Sequence, residues 1–382
     1  MLRIGRSGRV VAVDAARGLA LVGMAATHIF PDSRADGSLH PAYDIAAGRA
    51  AALFAVLAGV GLALANGGAI PRAGRQLWAG RAGALARAVL LVGLGVWLSG
   101  VDSPPLVILS YYALLFVVAT FFLGWSARAL TIGAAVAAVV TPVASHVLRQ
   151  YVAPAPIDEP GGSDMVVELF LTGTYPVLTW TTYLLAGLAV GRTDLRRWRS
   201  ALRLVVLGLL LAVAAKVVSR LLLDAVGGAG RLRGGDGDVD EALQRGLFGT
   251  TPRVDWHWLT VSAPHSGTTF DLVHTVGTSL AVLGACVLAT RLLRHVLVPL
   301  VAAGSMTLTL YTAHVLALAD DSPLLLDDRH ELWLWHVGVA LLVATVWRSL
   351  VGRGPLEALA ALVDRSARNI VTGRSRAVAS RL

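Results

Sequence analysis

Apolar runs long enough to cross a bilayer follow one another along nearly the whole chain. A hydrocarbon core about 30 Å thick needs roughly 20 helical residues, because each residue adds about 1.5 Å. Ten segments approach or exceed this length, near 11–30, 44–66, 82–100, 105–124, 127–148, 175–192, 200–224, 270–290, 295–318 and 331–350. The pattern predicts an all-α polytopic membrane protein with about ten transmembrane helices.

The charges between these segments separate by sign. If the N-terminus is cytoplasmic, the inner loops and tail hold most of the arginines, including Arg72, Arg75, Arg81, Arg87, Arg128, Arg192, Arg196, Arg197, Arg199, Arg203, Arg291 and Arg294. The outer loops then hold Asp32, Asp36, Asp102, Asp158, Glu159, Asp164, Glu168, Asp236, Asp238, Asp240, Glu241, Asp320, Asp321, Asp327, Asp328 and Glu331. The positive-inside rule therefore predicts a multi-pass protein of the inner cell membrane with both termini cytoplasmic. Residues 1–350 form one transmembrane domain, and 351–382 form a basic cytoplasmic tail.

Composition supports the same class of protein. Of the 382 residues, 55% are hydrophobic and only 15% are charged, which is too apolar for a soluble domain. The net charge of +9 does not indicate a nucleic-acid partner, because the arginines lie in short runs between apolar segments. The single cysteine, Cys286, excludes an intramolecular disulfide and a cysteine-rich metal site.

The first apolar segment, VAVDAARGLALVGMAATHIF, carries three polar residues on one face. At 100° per residue, Asp14, Arg17 and His28 fall within about 60° of one another. A charge near the bilayer centre costs about 3 kcal/mol on insertion scales, so Asp14 and Arg17 should face the bundle and pair. Asp14, Arg17 and His28 are therefore candidates to contact or support a substrate. A purely structural ion pair of Asp14 and Arg17 near the inner membrane face is an equally good interpretation.

The next segment, SLHPAYDIAAGRAAALFAVLAGVGLAL, brings three candidate catalytic residues to the outer mouth. His40 titrates near neutral pH and could act as a general base. Asp44 could hold the other imidazole nitrogen, and Arg49 could stabilise an oxyanion or bind an anionic donor. Alternatively, His40 is a solvated loop residue and Arg49 an interhelical salt-bridge partner.

Two later segments place further polar side chains at the same level of the membrane. PHSGTTFDLVHTVGTS contains His265, Ser266, Asp271 and His274, and AAGSMTLTLYTAHVLAL contains Tyr311 and His314. A single histidine on such a face is more often a packing residue than a catalyst, but several converging histidines favour a site that contacts or supports a substrate. Their spacing matches no zinc signature, so we predict no metal.

The arginine runs at 72–87 and 192–203 could bind the phosphates of a cytoplasmic nucleotide-bearing donor. Arg72, Arg75 and Arg192 are the candidate cofactor-binding residues. The positive-inside rule explains the same arginines without any ligand.

Several of these segments together resemble known membrane acyltransferases. RVVAVDAARGLALVGMAATHIF, the loop with His40, and GRAAALFAVLAGVGLAL resemble the N-terminal motifs of the heparan-alpha-glucosaminide N-acetyltransferase family. PHSGTTFDLVHTVGTSLAVLG and SMTLTLYTAHVLAL resemble the C-terminal region of the bacterial YeiB-like (DUF418) proteins. The resemblance is dense over 9–66 and 262–318 and implies a transmembrane acyltransferase-like domain.

The resemblance implies transfer of an acetyl or other acyl group from cytoplasmic acetyl-CoA or another acyl-CoA to an extracytoplasmic acceptor. The acceptor would be an amino sugar, another glycan or a small metabolite. The catalytic histidine of the family falls on His40, whereas His28 and Asp44 stand where the lysosomal family member has asparagines.

Two other classes of function remain open from the residues alone. A transporter or flippase would also use intramembrane Asp, Arg and His residues as a substrate or proton path. It would need titratable groups reachable from both sides, whereas these histidines crowd the outer half. A structural membrane subunit would not need so many intramembrane polar groups. The many Gly and Ala residues permit close helix packing, within one chain or in a homodimer.

Overall fold

The computed structural model describes residues 10–34, 36–152, 163–233 and 239–373, with the side chains of 163 and 164 excepted. Four of the predicted outer acidic residues, Asp158, Glu159, Asp236 and Asp238, and the end of the predicted tail, 374–382, lie outside the described residues. Within these ranges the protein is helical, and a single antiparallel bridge between Ser33 and Leu39 is the only β pairing.

The described α-helices are α1 Val11–Ile29, α2 Pro41–Ala46, α3 Arg49–Ala65, α4 Gly74–Ser99, α5 Leu109–Phe122, α6 Ala127–Leu148, α7 Ser163–Val167, α8 Val177–Gly191, α9 Trp198–Ala225, α10 Val239–Arg245, α11 Thr269–Leu292, α12 Val298–Gly304, α13 Thr307–Ala317, α14 Arg329–Leu350 and α15 Pro355–Thr372. A π-helical turn, Glu168–Thr172, follows α7, and short 3₁₀ turns occupy Ala229–Arg231 and Trp256–Thr260.

All ten predicted segments are helical, and the protein is a multi-pass membrane protein. Six described helices are long and apolar enough to span a bilayer: α2 with α3, α4, α6, α9, α11 and α14. A seventh span results if α12 and α13 are counted as one. The shorter α5 and α8 are also apolar, while α1 carries the charges of Asp14 and Arg17. The predicted total of ten spans therefore stays a prediction.

Two predicted helices are interrupted, and both breaks occur where another part of the chain approaches closely. The segment near 44–66 divides into α2 and α3 at Gly48, whose φ of 71° is unfavourable for other residues. The segment near 295–318 divides into α12 and α13 with a bend of 84°. At this break a side chain on Gly304 would overlap the backbone oxygen of Asp14, so α1 packs directly on the end of α12.

Small residues allow the central helices to touch along their backbones. A Cβ atom on Gly187 of α8 would lie 2.0 Å from the backbone oxygen of Val56 in α3. Gly208 of α9 and Gly277 of α11 meet in the same way. Because lipid tails are as apolar as leucine, such close packing rather than water exclusion holds transmembrane helices together.

The loops gather at two opposite ends of the bundle. We call the end formed by 30–34, 36–40, 100–108, 149–152, 163–176, 226–233, 239–268 and 318–328 the loop-rich end. Hydrogen bonds such as Asp320 N–H to Asp102 O connect its loops. We call the end formed by 66–73, 123–126, 192–197, 293–297 and 351–354 the arginine-rich end. The predicted cytoplasmic arginine runs lie at or next to the arginine-rich end.

The first part of the predicted tail is a helix, α15, that packs on the bundle. Glu357 accepts hydrogen bonds from the backbone N–H groups of Leu308 (2.6 Å) and Thr309 (3.1 Å), the first turn of α13. Asp364 forms ion pairs with Arg87 of α4 and Arg368. These contacts make α15 part of the arginine-rich end of the fold.

Candidate functional site

A cavity of about 380 Å³ lies between α1, α3, α4, α5, α13 and α15. Arg87 and Glu357 line it near the arginine-rich end, and Met24 and Tyr311 line it toward the loop-rich end. Along α3 it extends from Phe54 to Ala65, which corresponds to roughly 16 Å of helix. The rest of the wall is largely apolar, so the cavity suits an extended, flexible molecule with an anionic end.

Arg17 projects into this cavity from α1. It forms the predicted ion pair with Asp14, at 3.8 Å, and donates a hydrogen bond to the backbone oxygen of Leu57. Gly61 makes room for it, because a Cβ atom there would lie 2.6 Å from the Arg17 guanidinium. The pair predicted from the helical spacing is therefore present, and its arginine lines the cavity.

His28 and His314 lie one helical turn beyond the loop-rich limit of the cavity. Nδ1 of His28 is 2.9 Å from Nε2 of His314, and Nδ1 of His314 is 2.6 Å from Nε2 of His336. We call these three residues the histidine chain. His28 and His314 were predicted from the sequence, but His336 was not. Its only signal in the sequence is a histidine within the apolar run WLWHVGV.

His265 joins the loop before α11 to the break between α2 and α3. The backbone N–H of Gly48 donates to Nε2 of His265 at 3.0 Å, so the neutral ring carries its proton on Nδ1. The ring packs edge-on against Tyr175, with centroids 6.0 Å apart. Burial lowers the pKa of His265 from 6.5 to about 4, which keeps this imidazole neutral.

Asp271 and Ser266 belong to the same loop and the first turn of α11. The Asp271 carboxylate accepts the backbone N–H of Gly267 at 3.1 Å, and Ser266 Oγ lies 3.2 Å from Thr268 Oγ1. A polar cavity of about 10 Å³ separates Asp271 from His265. That space holds about one water molecule, so it can hydrate the polar groups but cannot admit a substrate.

Arg49 and His274 form a second polar contact between α3 and α11. Arg49 Nε donates to Nε2 of His274 at 3.2 Å, and Nδ1 of His274 donates to the backbone oxygen of Ala212. Arg49 also donates to the backbone oxygens of Asp44 and Ile45. Both nitrogens of His274 are engaged, so in this conformation His274 holds Arg49 rather than taking up a proton.

His40 lies at the surface of the loop-rich end, where it caps α2. Its Nδ1 accepts the backbone N–H of Ala42 at 3.2 Å, and its ring stacks on Phe30 with centroids 4.6 Å apart. Partial burial, together with the nearby Arg34 and His330, lowers the pKa of His40, so the ring is neutral at neutral pH.

The side chains of the three residues predicted as catalytic do not bond to one another, although backbone oxygens of His40 and Asp44 accept hydrogen bonds from Asp44 N–H and from Arg49. The Asp44 side chain is exposed, and among the hydrogen bonds of the described residues none joins its carboxylate to the His40 ring. Arg49 instead contacts His274, in a segment more than 200 residues away. The structure therefore brings Arg49 to the C-terminal half of the chain and His40 to Phe30.

The predicted donor-binding arginines have different surroundings. Arg72 and Arg75 are on the surface, where Arg75 donates to the backbone oxygen of Val371. Arg192 is buried and donates to the backbone oxygens of Ala63, Asn66, Gly68 and Leu123. It joins the C-terminal ends of α3 and α5, so it has a structural role whether or not a donor binds.

Tyr311 separates the cavity from the histidine chain. Its hydroxyl accepts the backbone N–H of Ile108 at 3.2 Å, and His314 lies one turn further along α13.

Within the described residues, no group of three or more His, Cys, Asp or Glu side chains is arranged to hold a metal ion. The side chains described above provide imidazole and guanidinium groups, which can serve acid–base and electrostatic chemistry.

Residues 9–220 match a protein-family model described as "heparan-alpha-glucosaminide N-acetyltransferase, catalytic". This is more than half of the 382 residues. The chain belongs to this family. A search of curated proteins finds no match.

Membership of the acetyltransferase family agrees with the resemblance seen in the sequence. The matched region includes α1 to most of α9, and so contains His28, His40, Arg49 and most of the cavity wall. The family indicates a membrane acetyltransferase. His314, His336 and Glu357 lie beyond the match, so their roles must be argued from the structure of this chain.

Proposed function

We propose that this acetyltransferase-family protein moves an acetyl or other acyl group from acyl-CoA, bound from the cytoplasm, to an acceptor outside the membrane. The cavity between α1, α3, α4, α5, α13 and α15 is the observation that carries this proposal. It extends from Arg87 and Glu357 near the arginine-rich end to Met24 and Tyr311, one helical turn short of His28 and His314. The proposed donor would occupy this cavity, and the proposed acceptor would bind on the loop-rich side.

The lining of the cavity supports an acyl-CoA donor. Phe54, Leu62 and Phe116 provide an apolar wall for the flexible thioester-bearing arm, while Arg17 and Arg87 provide positive charge. An arginine in a site of low dielectric can also stabilise the oxyanion of a tetrahedral intermediate. The bulky anionic nucleotide would stay at the arginine-rich end, where Arg72 and Arg75 lie close to the surface.

His40 is proposed as the base that takes a proton from the acceptor, as the family resemblance implies. In the present conformation Nδ1 of His40 accepts the N–H of Ala42, so the lone pair becomes available only when this cap opens. Acceptor binding would open this cap, since catalytic hydrogen bonds often rearrange when a substrate binds. The acceptor would be an amino sugar, another glycan or a small metabolite.

The proposal is tested by acetyl-CoA binding and acetyl transfer with purified protein in detergent. Ala58→Phe fills the cavity from α3, whereas Val89→Phe adds the same ring on the exposed side of α4. We expect Ala58→Phe alone to abolish acetyl-CoA binding. His40→Ala should retain binding and lose transfer, by about 10² or more for a general base, while His295→Ala at the arginine-rich end should retain both.

Each result separates two functions. Well-folded protein that binds no acetyl-CoA would contradict the acyltransferase proposal and favour a transporter or flippase. Binding that survives Ala58→Phe would show that the donor occupies another site.

A further inference from the structure

Two arginines and one aspartate meet where α4, α15 and the end of α3 converge. The Asp364 carboxylate forms ion pairs with Arg87 Nε at 3.4 Å and with Arg368 Nε at 3.0 Å. Arg368 also donates to the side-chain oxygen of Asn66, the C-cap of α3, at 3.2 Å. We call Arg87, Asp364 and Arg368 the α4–α15 cluster. Through this cluster, α15 contacts helices that belong to the family match, although α15 itself lies beyond it.

Glycines on α4 make room for the α4–α15 cluster. A Cβ atom on Gly83 would overlap Oδ1 of Asp364 and lie 2.8 Å from Nε of Arg368. A Cβ atom on Gly80 would overlap the side-chain oxygen of Asn66. A side chain at either position would therefore push α15 and its charges away from α4.

Positive charge is in excess at this place. Two guanidinium groups share the single carboxylate of Asp364, and Arg353 lies within electrostatic range of Arg87. Glu357, the other acid at this end of the cavity, already accepts the N–H groups of the first turn of α13. Because charges away from water are stable only when they are paired, an anion beside Arg87 would offset this excess.

Arg87 has donors available for such an anion. It lines the cavity of about 380 Å³, and within the described residues its buried Nε has no hydrogen-bond partner. Arg192, by contrast, donates to four backbone oxygens, and Arg149 donates to Ser145 and Thr251. A guanidinium group has five N–H donors in a planar fork that fits the oxygens of a phosphate.

The length of the cavity agrees with the distance from the thioester to the diphosphate of CoA. Along α3 the cavity extends over roughly 16 Å and ends at Ala65, next to Asn66, which bonds to Arg368. The pantetheine arm has about 13 bonds between its sulfur and its first phosphorus, which is roughly 15 Å at the reach of an extended backbone. A thioester beside Tyr311 therefore places the diphosphate at the α4–α15 cluster.

We propose that Arg87 of α4 and Arg368 of α15 hold the 5′-diphosphate of acyl-CoA. This inference rests on the proposed acyl transfer. The two guanidinium groups contact the diphosphate from two different helices, while Asp364 keeps them side by side. The rest of the nucleotide then lies toward the surface near Arg75, which bonds to the backbone of α15 at Val371. Helix α15 thus takes part in donor binding in addition to supporting α13.

Two ligands that differ only in the nucleotide test the assignment. S-Acetylpantetheine has the same thioester and arm as acetyl-CoA but no phosphate. We expect Arg87→Gln and Arg368→Gln each to weaken acetyl-CoA binding about tenfold and to leave S-acetylpantetheine binding unchanged. Arg365→Gln, at an exposed position of α15 whose Nε donates within its own helix, should bind both ligands as wild type does. Equilibrium binding of acetyl-labelled ligands measures each affinity.

A third ligand separates the diphosphate from the other phosphate of CoA. Acetyl-dephospho-CoA lacks only the 3′-phosphate, so both arginine variants should still weaken its binding about tenfold. If the weakening disappears with this ligand, the two arginines hold the 3′-phosphate, and the assignment to the diphosphate is overturned.

A purely structural cluster predicts that the variants weaken acetyl-CoA and S-acetylpantetheine equally, or weaken neither, and either result overturns the proposal. Wild-type protein keeps the test decisive if the variants fold poorly. Inorganic pyrophosphate should displace acetyl-CoA but not S-acetylpantetheine from wild type, and no displacement beyond that of sodium chloride at the same ionic strength would refute the assignment. Failure of the proposed function is recognised separately, because well-folded wild-type protein would then bind no acetyl-CoA.

Discussion

Glu357 should hold the C-terminal helix against the donor cavity, and its removal should affect both stability and donor binding. Helix α13 begins after the 84° bend without a side-chain cap of its own. Glu357 of α15 supplies that cap, accepting two backbone N–H groups on Oε1 and the Thr309 hydroxyl, at 2.6 Å, on Oε2. It also lines the cavity.

The size of the effect follows from these contacts. Hydrogen bonds to a charged group contribute about 1.5–3 kcal/mol each, and a negative charge at a helix N-terminus adds about 0.3–1 kcal/mol. Glu357 is only half-buried, and water replaces part of what is lost, so we expect Glu357→Ala to lower the free energy of unfolding by about 3 kcal/mol. Glu357→Gln keeps an acceptor oxygen and should cost about 1 kcal/mol.

Unfolding of the purified protein in mixed micelles with increasing denaturant measures the loss of stability. Isothermal titration calorimetry with acetyl-CoA measures the change in donor binding. Glu331→Gln, an exposed position in the first turn of α14, is the control. We expect Glu357→Ala to weaken acetyl-CoA binding about tenfold, equivalent to about 1.4 kcal/mol, as α15 separates from α13. If Glu357→Ala matches the control in both measurements, α15 neither caps α13 nor shapes the donor site.

Two further predictions concern pH and the buried arginine. The pKa of His265 is about 4 in the folded protein and 6.5 ordinarily, so between these pH values the unfolded state binds more protons than the folded state. This difference contributes about 3 kcal/mol to the free energy of unfolding above pH 6.5, and the contribution should disappear as the pH falls to 4. Unfolding titrations at several pH values should show this loss in wild type and not in His265→Gln, and a flat wild-type profile would contradict it. Arg192→Ala should lower the free energy of unfolding by about 3 kcal/mol, because four backbone oxygens lose their hydrogen-bond donor. Arg72→Ala, the control, should change it little. Equal losses of stability in the two variants would contradict the structural role of Arg192.

Much of the architecture is local and can be read from the sequence. All ten apolar segments predicted as helices are helical, since a backbone in lipid must satisfy its own hydrogen bonds. The pairing of Asp14 with Arg17 was also predictable, because residues three apart lie on the same face of a helix. The breaks at Gly48 and Gly304 were not, because they depend on which other segment lies against each glycine.

The candidate site was only partly predictable. His28, His40, Arg49 and His314 stood out as polar residues in or beside apolar helices, but their partners did not. The hydrophobic pattern indicated that His28 faces the bundle, yet it contained no information that His314, 286 residues later, would contact it. It also gave no reason to select His336 or Glu357.

The sequence by itself determined which segments of this protein are helices, where its charges separate by sign, and which acyltransferases it resembles. The tertiary structure alone decided the order of the histidine chain, the cap that α15 places on α13, and the cavity between six helices. The physical reason is that a helix in a membrane is apolar on nearly every face. Its hydrophobicity therefore drives insertion but does not choose a neighbour, and the choice depends on close backbone approach and a few buried polar contacts.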